Sequence, residues 1–230
     1  MNSLNKTPGP VFIALSGKKQ TGKDTSATFI KQMIEANGKA VAITAFAEPL
    51  KRMCVEILGL SQEGVYGTDA DKNSPSHIQW DGFPIEIRLK YSNQFAEYQY
   101  GSFSDMPERR AQRLPRSGPM TNREVLQVVG TDIFRTFYND VWAKAPFRRD
   151  WSGVDVVILT DCRFPNEKLV TEEAGGVIIR LERNTGFSDN HVSEVALDGF
   201  IFKNTYQNDG SMEELENYLV TLLNAKGLIN

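Results

Sequence analysis

The sequence is short of cysteine and histidine, with two of each in 230 residues. Cys54 and Cys162 lie far apart and show no CxxC or metal-type spacing, which argues against a disulfide framework or a zinc site and points to a reducing compartment. His77 and His191 have no second histidine four residues on, so solvent exposure rather than metal ligation is expected of them. No run approaches the roughly 18 apolar residues of a membrane span. Met1 to Pro10 is polar, carries Pro8 and Pro10, and lacks an apolar signal core. The expectation is a protein that stays in the cytoplasm and binds no membrane. An excess of positive charge is also missing: the formal charge is -3, whereas binding of bulk nucleic acid normally needs a strongly basic domain. No repeat or low-complexity segment is seen.

What is present is enough apolar material for a real core. At 40% hydrophobic and 24% charged residues, the composition fits one elaborated domain or two small ones. The basic groups are unevenly placed. Between Asp105 and Asp150 there are nine Arg or Lys against six Asp or Glu, including Arg109, Arg110, Arg113 and Arg116, while the stretch from Asp209 onward is mostly acidic. A local anion site inside an acidic protein is the natural reading.

Short apolar runs alternate with helical patterns. Val11 to Ser16 reads as a strand buried on both faces, and Ala27, Ile30 and Ile34 then recur at helical spacing until Asn37-Gly38. Val41 to Ala45 is a second strand, followed by a helix opening near Pro49 and carrying Leu50, Met53, Cys54 and Ile57. Residues 61–120 differ, with Gly, Pro, Ser, Asp and aromatics, and a weak alternation at Ile85 to Leu89 that would suit a hairpin arm. We read them as an insertion within a single domain spanning 1–230, serving as a substrate-binding or lid region. Thr121 to Glu124 is a capping box opening a helix of about four turns, through Val125, Val129, Ile133 and Phe137. Val154 to Thr160, Val177 to Leu181 and Phe200 to Lys203 are three more strands, and Ser211 to Glu214 caps a last helix. This order predicts an α/β fold, a parallel five-stranded sheet of the P-loop NTPase type flanked by helices.

The chemistry concentrates in Gly17-Lys18-Lys19-Gln20-Thr21-Gly22-Lys23-Asp24-Thr25, between the first strand and the first helix. A phosphate loop needs glycines so that backbone N–H groups turn inward, a helix N-terminus favouring negative charge, and a lysine reaching the β- and γ-phosphates. Gly17, Gly22 and Lys23 meet these needs. The plainer alternative is a glycine turn with a solvated lysine. Asp24 stands where the common pattern has Ser or Thr to hold Mg²⁺; a carboxylate is also a hard ligand, and Thr25 is the other candidate. Lys18 and Lys19 would lean over phosphates or lie in solvent.

Acceptor-side candidates lie further along. Asp161, ending a buried strand where open α/β sheets place ligands, would organise Mg²⁺ or the attacking oxygen, or else cap the strand. Arg163 would grip a phosphate through its planar guanidinium, or pair with Glu167. Arg123 sits in a helix's first turn, where the macrodipole disfavours a cation and a bound anion would remove the conflict; Glu124 beside it is a partial answer. Arg135 is twelve residues on, about 18 Å along an unbroken helix. Both arginines therefore cannot hold one phosphate. Glu48 and Lys51, after the second strand, would touch the acceptor's sugar or phosphate, or serve capping and surface charge.

Taken together these segments resemble the bacteriophage-type deoxynucleoside monophosphate kinases. The resemblance rests on the GKKQTGKDT loop, Phe46 to Lys51, Arg123 with Leu126-Gln127 and Gly130-Thr131, Arg135 near Trp142, Asp161 to Glu167, His191 to Glu194, and Asn204. The loop is similar to that of animal phosphomevalonate kinases as well, so the loop alone does not choose the acceptor. The resemblance implies ATP and Mg²⁺, a dNMP acceptor, a possible homodimer, and the host cytoplasm if the chain is phage-encoded. It also implies nucleotide-side roles for Lys23 and Asn204, phosphate or nucleotide contacts for Arg123, Arg135 and Arg163, and a metal or acceptor role for Asp161. Arg109 to Arg116 would form a lid excluding water. The alternatives are a kinase of another small phosphorylated acceptor and a non-catalytic nucleotide-binding module.

Overall fold

The computed structural model describes residues 9–92, 95–96, 112–184 and 195–230. Its elements begin with β1 (Val11–Ser16), α1 (Lys23–Ala36), β2 (Val41–Thr44), α2 (Glu48–Glu56), α3 (Gln62–Tyr66), α4 (Asp69–Asn73), β3 (Pro75–Gln79) and α5 (Ile85–Lys90). They continue with β4 (Phe95–Ala96), β5 (Gln112–Arg113), β6 (Pro119–Thr121), α6 (Asn122–Gln127), a π-helix (Val128–Arg135) and α7 (Val141–Arg148). The rest are β7 (Val156–Cys162), α8 (Pro165–Glu173), β8 (Val177–Glu182), β9 (Asn204–Gln207) and α9 (Met212–Ala225). The chain forms two compact units: Met1–Pro49 with Asp140–Asn230, and Leu50–Asn139. The intervening unit holds residues 61–120 together with most of α2, α6 and the π-helix.

The first unit is built on a five-stranded sheet in the order β2-β7-β1-β8-β9, parallel throughout. Alternation along β1 explains why it must be central. Ile13 and Leu15 face a cluster containing Ile30 and Ile34 of α1 and Leu215, Leu219 and Leu223 of α9. Phe12 and Ala14 face the opposite cluster with Phe46, Leu159 and Ile178. A strand buried on both sides reads as a continuous apolar run, as this one does. The edge strand obeys a different rule. It was expected at Phe200 to Lys203, but the strand is Asn204–Gln207, in register with Ile179 to Glu182. The apolar pair is no guide: Phe200 and Ile201 are exposed, while along β9 Thr205 and Gln207 are exposed and Asn204 and Tyr206 half-buried, as suits an edge with one solvated side. Tyr206 stacks on Tyr218 of α9, with ring centroids 4.4 Å apart.

Both capping boxes expected from sequence form. Thr121 Oγ1 accepts from the Glu124 N–H and Ser211 Oγ from the Glu214 N–H, with each glutamate returning to its cap residue's N–H. In the second unit, Trp80, Met120, Val125 and Val128 are buried, and β3 pairs antiparallel with β6. Ile85 to Leu89 is helix α5, not a hairpin arm. Pro84 precedes it with the fixed φ that suits a helix start, and Arg88 Nε donates to the Arg116 carbonyl at 2.8 Å. The helix begun at Thr121 runs as far as expected but widens to π winding over Val128–Arg135. Gly130 lies inside that stretch, where a Cβ would meet Leu50 Cδ2 at 2.5 Å. Both cysteines are buried and free, and burial raises the Cys54 thiol to about 11. Among the described residues no helix is long and apolar enough to cross a membrane.

Candidate active site

The loop after β1 is held in a conformation that ordinary residues adopt at a penalty. Gly17 has φ 150° and Gly22 φ 95°, and a Cβ on Gly17 would meet the Leu181 carbonyl oxygen at 2.5 Å. Gln20 is left-handed at φ 64° without being glycine. Such strain persists only where surroundings impose it, and it concentrates at functional sites. The left-handed N-cap, Gly22, makes no side-chain cap bond to α1. No side chain at Gly22 covers the first N–H groups of that helix, and the positive end of its dipole lies there, an arrangement suited to an anion.

Inside the loop, Lys23 Nζ donates to the Gly17 carbonyl at 2.8 Å and to the Lys18 carbonyl at 2.6 Å. Burial, then the Arg163 guanidinium, brings its pKa from 10.5 down to about 8; Arg180 pushes the same way, and Asp24 and Asp161 oppose them. That one electrostatic neighbourhood thus holds Lys23, Asp24, Asp161 and Arg163, four residues taken from the sequence, and Arg180, which was not. Thr21 Oγ1 donates to the Lys18 carbonyl at 2.9 Å. Lys18 itself is exposed and pairs with Asp198 at 2.9 Å; Lys19 and Thr25 are half-buried and Asp24 is exposed.

Asp161 owes its aim to an irregularity. Ala14 pairs with Leu159 but Ser16 with Cys162, so β7 carries one extra residue there. Such a bulge re-aims a side chain. Asp161 Oδ1 then accepts the Phe46 N–H at 2.5 Å and Oδ2 the Ala47 N–H at 3.1 Å. The strand-end cap foreseen as an alternative is real, and it fixes the turn that leads into Glu48 and α2. Six residues on, buried Glu167 accepts the N–H groups of Arg163 at 2.8 Å and Phe164 at 3.0 Å through Oε2. This pins the backbone that presents Arg163.

Several other candidates belong to the second unit. Arg123 belongs to the second unit, where its fork donates to Asn73 Oδ1 and Asp69 Oδ1, both at 2.9 Å. The acidic partner, Asp69, offsets the macrodipole here. Arg135 closes the π-helix of that unit, and Lys51 lies 5.2 Å over the Tyr66 ring. Of the arginine-rich stretch, Arg109 and Arg110 fall outside the described residues; Arg116 pairs with Glu124 and lies 5.1 Å over Trp80. His191 to Glu194 also lies outside them, and His77 is exposed.

Asn204 serves the sheet, its Nδ2 donating to the Ile178 carbonyl at 2.9 Å. The asparagine that reaches the loop is Asn208, whose Nδ2 donates to the Thr21 carbonyl at 2.9 Å while its own N–H holds Glu182. It directly follows the edge strand, at the carboxyl end where ligands bind; with that strand expected four residues early, the sequence points to Asn204 instead. Arg180 was legible, as a lone cation within the buried run Val177 to Leu181, since a buried charge needs partners. Asn208→Ala strips a bond from a buried carbonyl. The expected result is about 1 to 3 kcal/mol lower stability in urea melts and severalfold weaker polyphosphate binding.

Comparison with known proteins follows this geometry. The family model described as deoxynucleotide monophosphate kinase matches residues 85–219, more than half of the chain. The phosphate loop lies ahead of the matched span. A protein of Acanthamoeba polyphaga mimivirus, provisionally named a deoxynucleotide monophosphate kinase, is 30% identical over 188 residues, covering 81% of this chain and 82% of its own length.

Proposed function

The chain belongs to the deoxynucleotide monophosphate kinase family and is a phosphotransferase; from that premise we propose that ATP is its donor, with Gly17 to Thr25 holding the triphosphate. The observation that carries this reading is the Lys23 amine, desolvated between two loop carbonyls at the head of an uncapped helix. In phosphoryl transfer the protein's work is positioning and charge neutralisation, with no covalent enzyme intermediate needed. Lys23 exchanges its carbonyl partners for phosphate oxygens. The loop's inward N–H groups bind the same charge. Arg163, held by the Glu167 clasp, neutralises charge on the transferring phosphate, and Arg123, Arg135, Glu48 and Lys51 are our candidates on the acceptor side. Arg123 takes that role only by exchanging Asp69.

Mg²⁺ fits the donor set. Asp24 and Asp161 supply two hard carboxylates, and this ion is ordinarily held by one or two carboxylates together with phosphate oxygens. Each Asp161 oxygen accepts one backbone N–H and keeps a lone pair. When bound, the ion would neutralise phosphate charge.

The test is an acceptor panel with ATP and Mg²⁺: the four dNMPs, the corresponding ribonucleotides and phosphomevalonate, read as ADP release. Turnover of a dNMP is expected; turnover of another acceptor with no dNMP used overturns the reading. A pH profile checks the role of Lys23. Its protonated form is the one that binds phosphate, so kcat/KM for ATP should be full below pH 8 and fall tenfold per unit above it, following the free enzyme. Bound phosphate charge raises the amine's pKa. The alkaline limb of kcat should therefore lie higher than that of kcat/KM, and a kcat/KM profile flat to pH 9.5 counts against this assignment.

A further inference from the structure

Beside the loop lies a cleft of about 240 Å³ whose lining includes Lys18, Thr21, Arg180, Glu182, Arg183 and Asp198. Its charges are not equivalent. Arg180 is buried, donating to Ser16 Oγ at 3.1 Å, with Asp198 at 3.5 Å and Glu182 at 3.6 Å. Its ring neighbour, Phe202, lies 5.4 Å from the guanidinium carbon. Lys18, by contrast, is about half exposed, and so is its partner Asp198. The Asp198 carboxylate therefore bridges two cations, one fixed in the sheet and one on the loop itself.

We propose that Asp198 is a positioning residue that stands in for a polyphosphate, holding Lys18 off the loop until a ligand of higher charge takes the lysine from it. The choice of which contact gives way follows from exposure. A solvent-exposed ion pair is worth little and breaks readily, whereas a buried cation stripped of its partners is strongly disfavoured. Lys18 therefore moves and Arg180 stays. A carboxylate left in the cleft opposes the anion by repulsion, so Asp198 weakens polyphosphate binding and hastens its release. Competition of this kind keeps product from lingering, which matters in enzymes limited by release. The inference rests on the reading of Gly17 to Thr25 as a phosphate loop.

The experiment is calorimetric titration of the full chain with inorganic tripolyphosphate and pyrophosphate. Asp198→Asn should bind tripolyphosphate about five- to tenfold more tightly, chiefly because the anion no longer has to take Lys18 from a carboxylate, with a smaller gain for pyrophosphate. Asp198→Glu should restore wild-type affinity. In a Lys18→Met background the Asp198→Asn gain should fall below threefold, a coupling that loss of packing alone would not produce. Unchanged or weaker binding by Asp198→Asn, or an undiminished gain without Lys18, overturns the proposal. Should Asp198→Asn fail to fold, Lys18→Met alone decides: about fivefold weaker tripolyphosphate binding is expected, and unchanged affinity overturns it. Wild-type protein that binds no tripolyphosphate, or binds it as well after Lys23→Ala, sinks the phosphate-loop reading instead.

Discussion

Lys23→Ala is expected to lower phosphoryl transfer by roughly 10² to 10⁴ while leaving the protein at least as stable as before. The two effects have one cause. Burial and Arg163 bring the amine's pKa from 10.5 to about 8, so the folded state disfavours the proton relative to the unfolded chain. The sign is that of a base with a depressed pKa. Stability is reduced below pH 8, recovers as pH rises between 8 and 10.5, and is unaffected above that range. The size at neutral pH is roughly 3 kcal/mol, at 1.36 kcal/mol per unit. The bonds to the Gly17 and Lys18 carbonyls, lost with the side chain, offset part of it at about 1 kcal/mol each. Thermal melts at pH 7 should therefore show no loss, and ADP release with a dNMP present should show a near-complete one. Lys23→Met keeps the stem and isolates the charge. If either variant melts well below wild type while retaining a tenth of its activity, Lys23 is a structural residue and not the phosphate's partner.

How much of this was legible in the sequence depends on which forces placed each residue. β1 was readable to the residue because both of its faces are buried, so composition and burial coincide. β9 was misplaced by four residues because an edge strand has no such signature: its position is set by register against β8, a long-range pairing. α5 was misread for a related reason. Apolar residues at 85, 87 and 89 satisfy a period of two over so short a span, and Pro84 and the contacts of Arg88 decide for the helix. The capping boxes of Thr121 and Ser211 were safe because their bonds are local.

The site divides along the same line. Gly17, Gly22 and Lys23 announce themselves because a phosphate loop is a local arrangement of backbone and one side chain. Asn208 and Asp198 reach that loop from far along the chain through the sheet, and only the parallel order of β1, β8 and β9 brings them there. Residue type also misleads where its partner is unknown. Arg123 is conspicuous from its place in a first turn, but its partners Asp69 and Asn73, fifty or more residues earlier, are set by a long-range pairing that no local pattern shows.

Asp161→Asn separates a residue that holds the turn from one that serves the reaction. The amide oxygen still accepts the Phe46 N–H, but the amide nitrogen then meets the Ala47 N–H, donor against donor. Loss of that 3.1 Å bond should lower stability by about 1 to 3 kcal/mol. A residue acting only as a strand-end cap would show this and little else. Our reading requires more: turnover lower by roughly 10² to 10³, and a higher Mg²⁺ concentration for half-maximal rate, because a neutral amide is a poorer ligand for a hard cation than a carboxylate. A third effect follows from charge alone. Asp161 is among the groups that raise the pKa of Lys23, so its neutralisation should move the alkaline limb of kcat/KM below pH 8. That shift reports the charge's nearness to the lysine whatever else Asp161 does, so the Mg²⁺ requirement and the turnover are what tell a ligand from a cap. If stability falls while the Mg²⁺ requirement and the turnover stay fixed, Asp161 is the cap alone, and Asp24 or Thr25 is left as the metal's protein ligand.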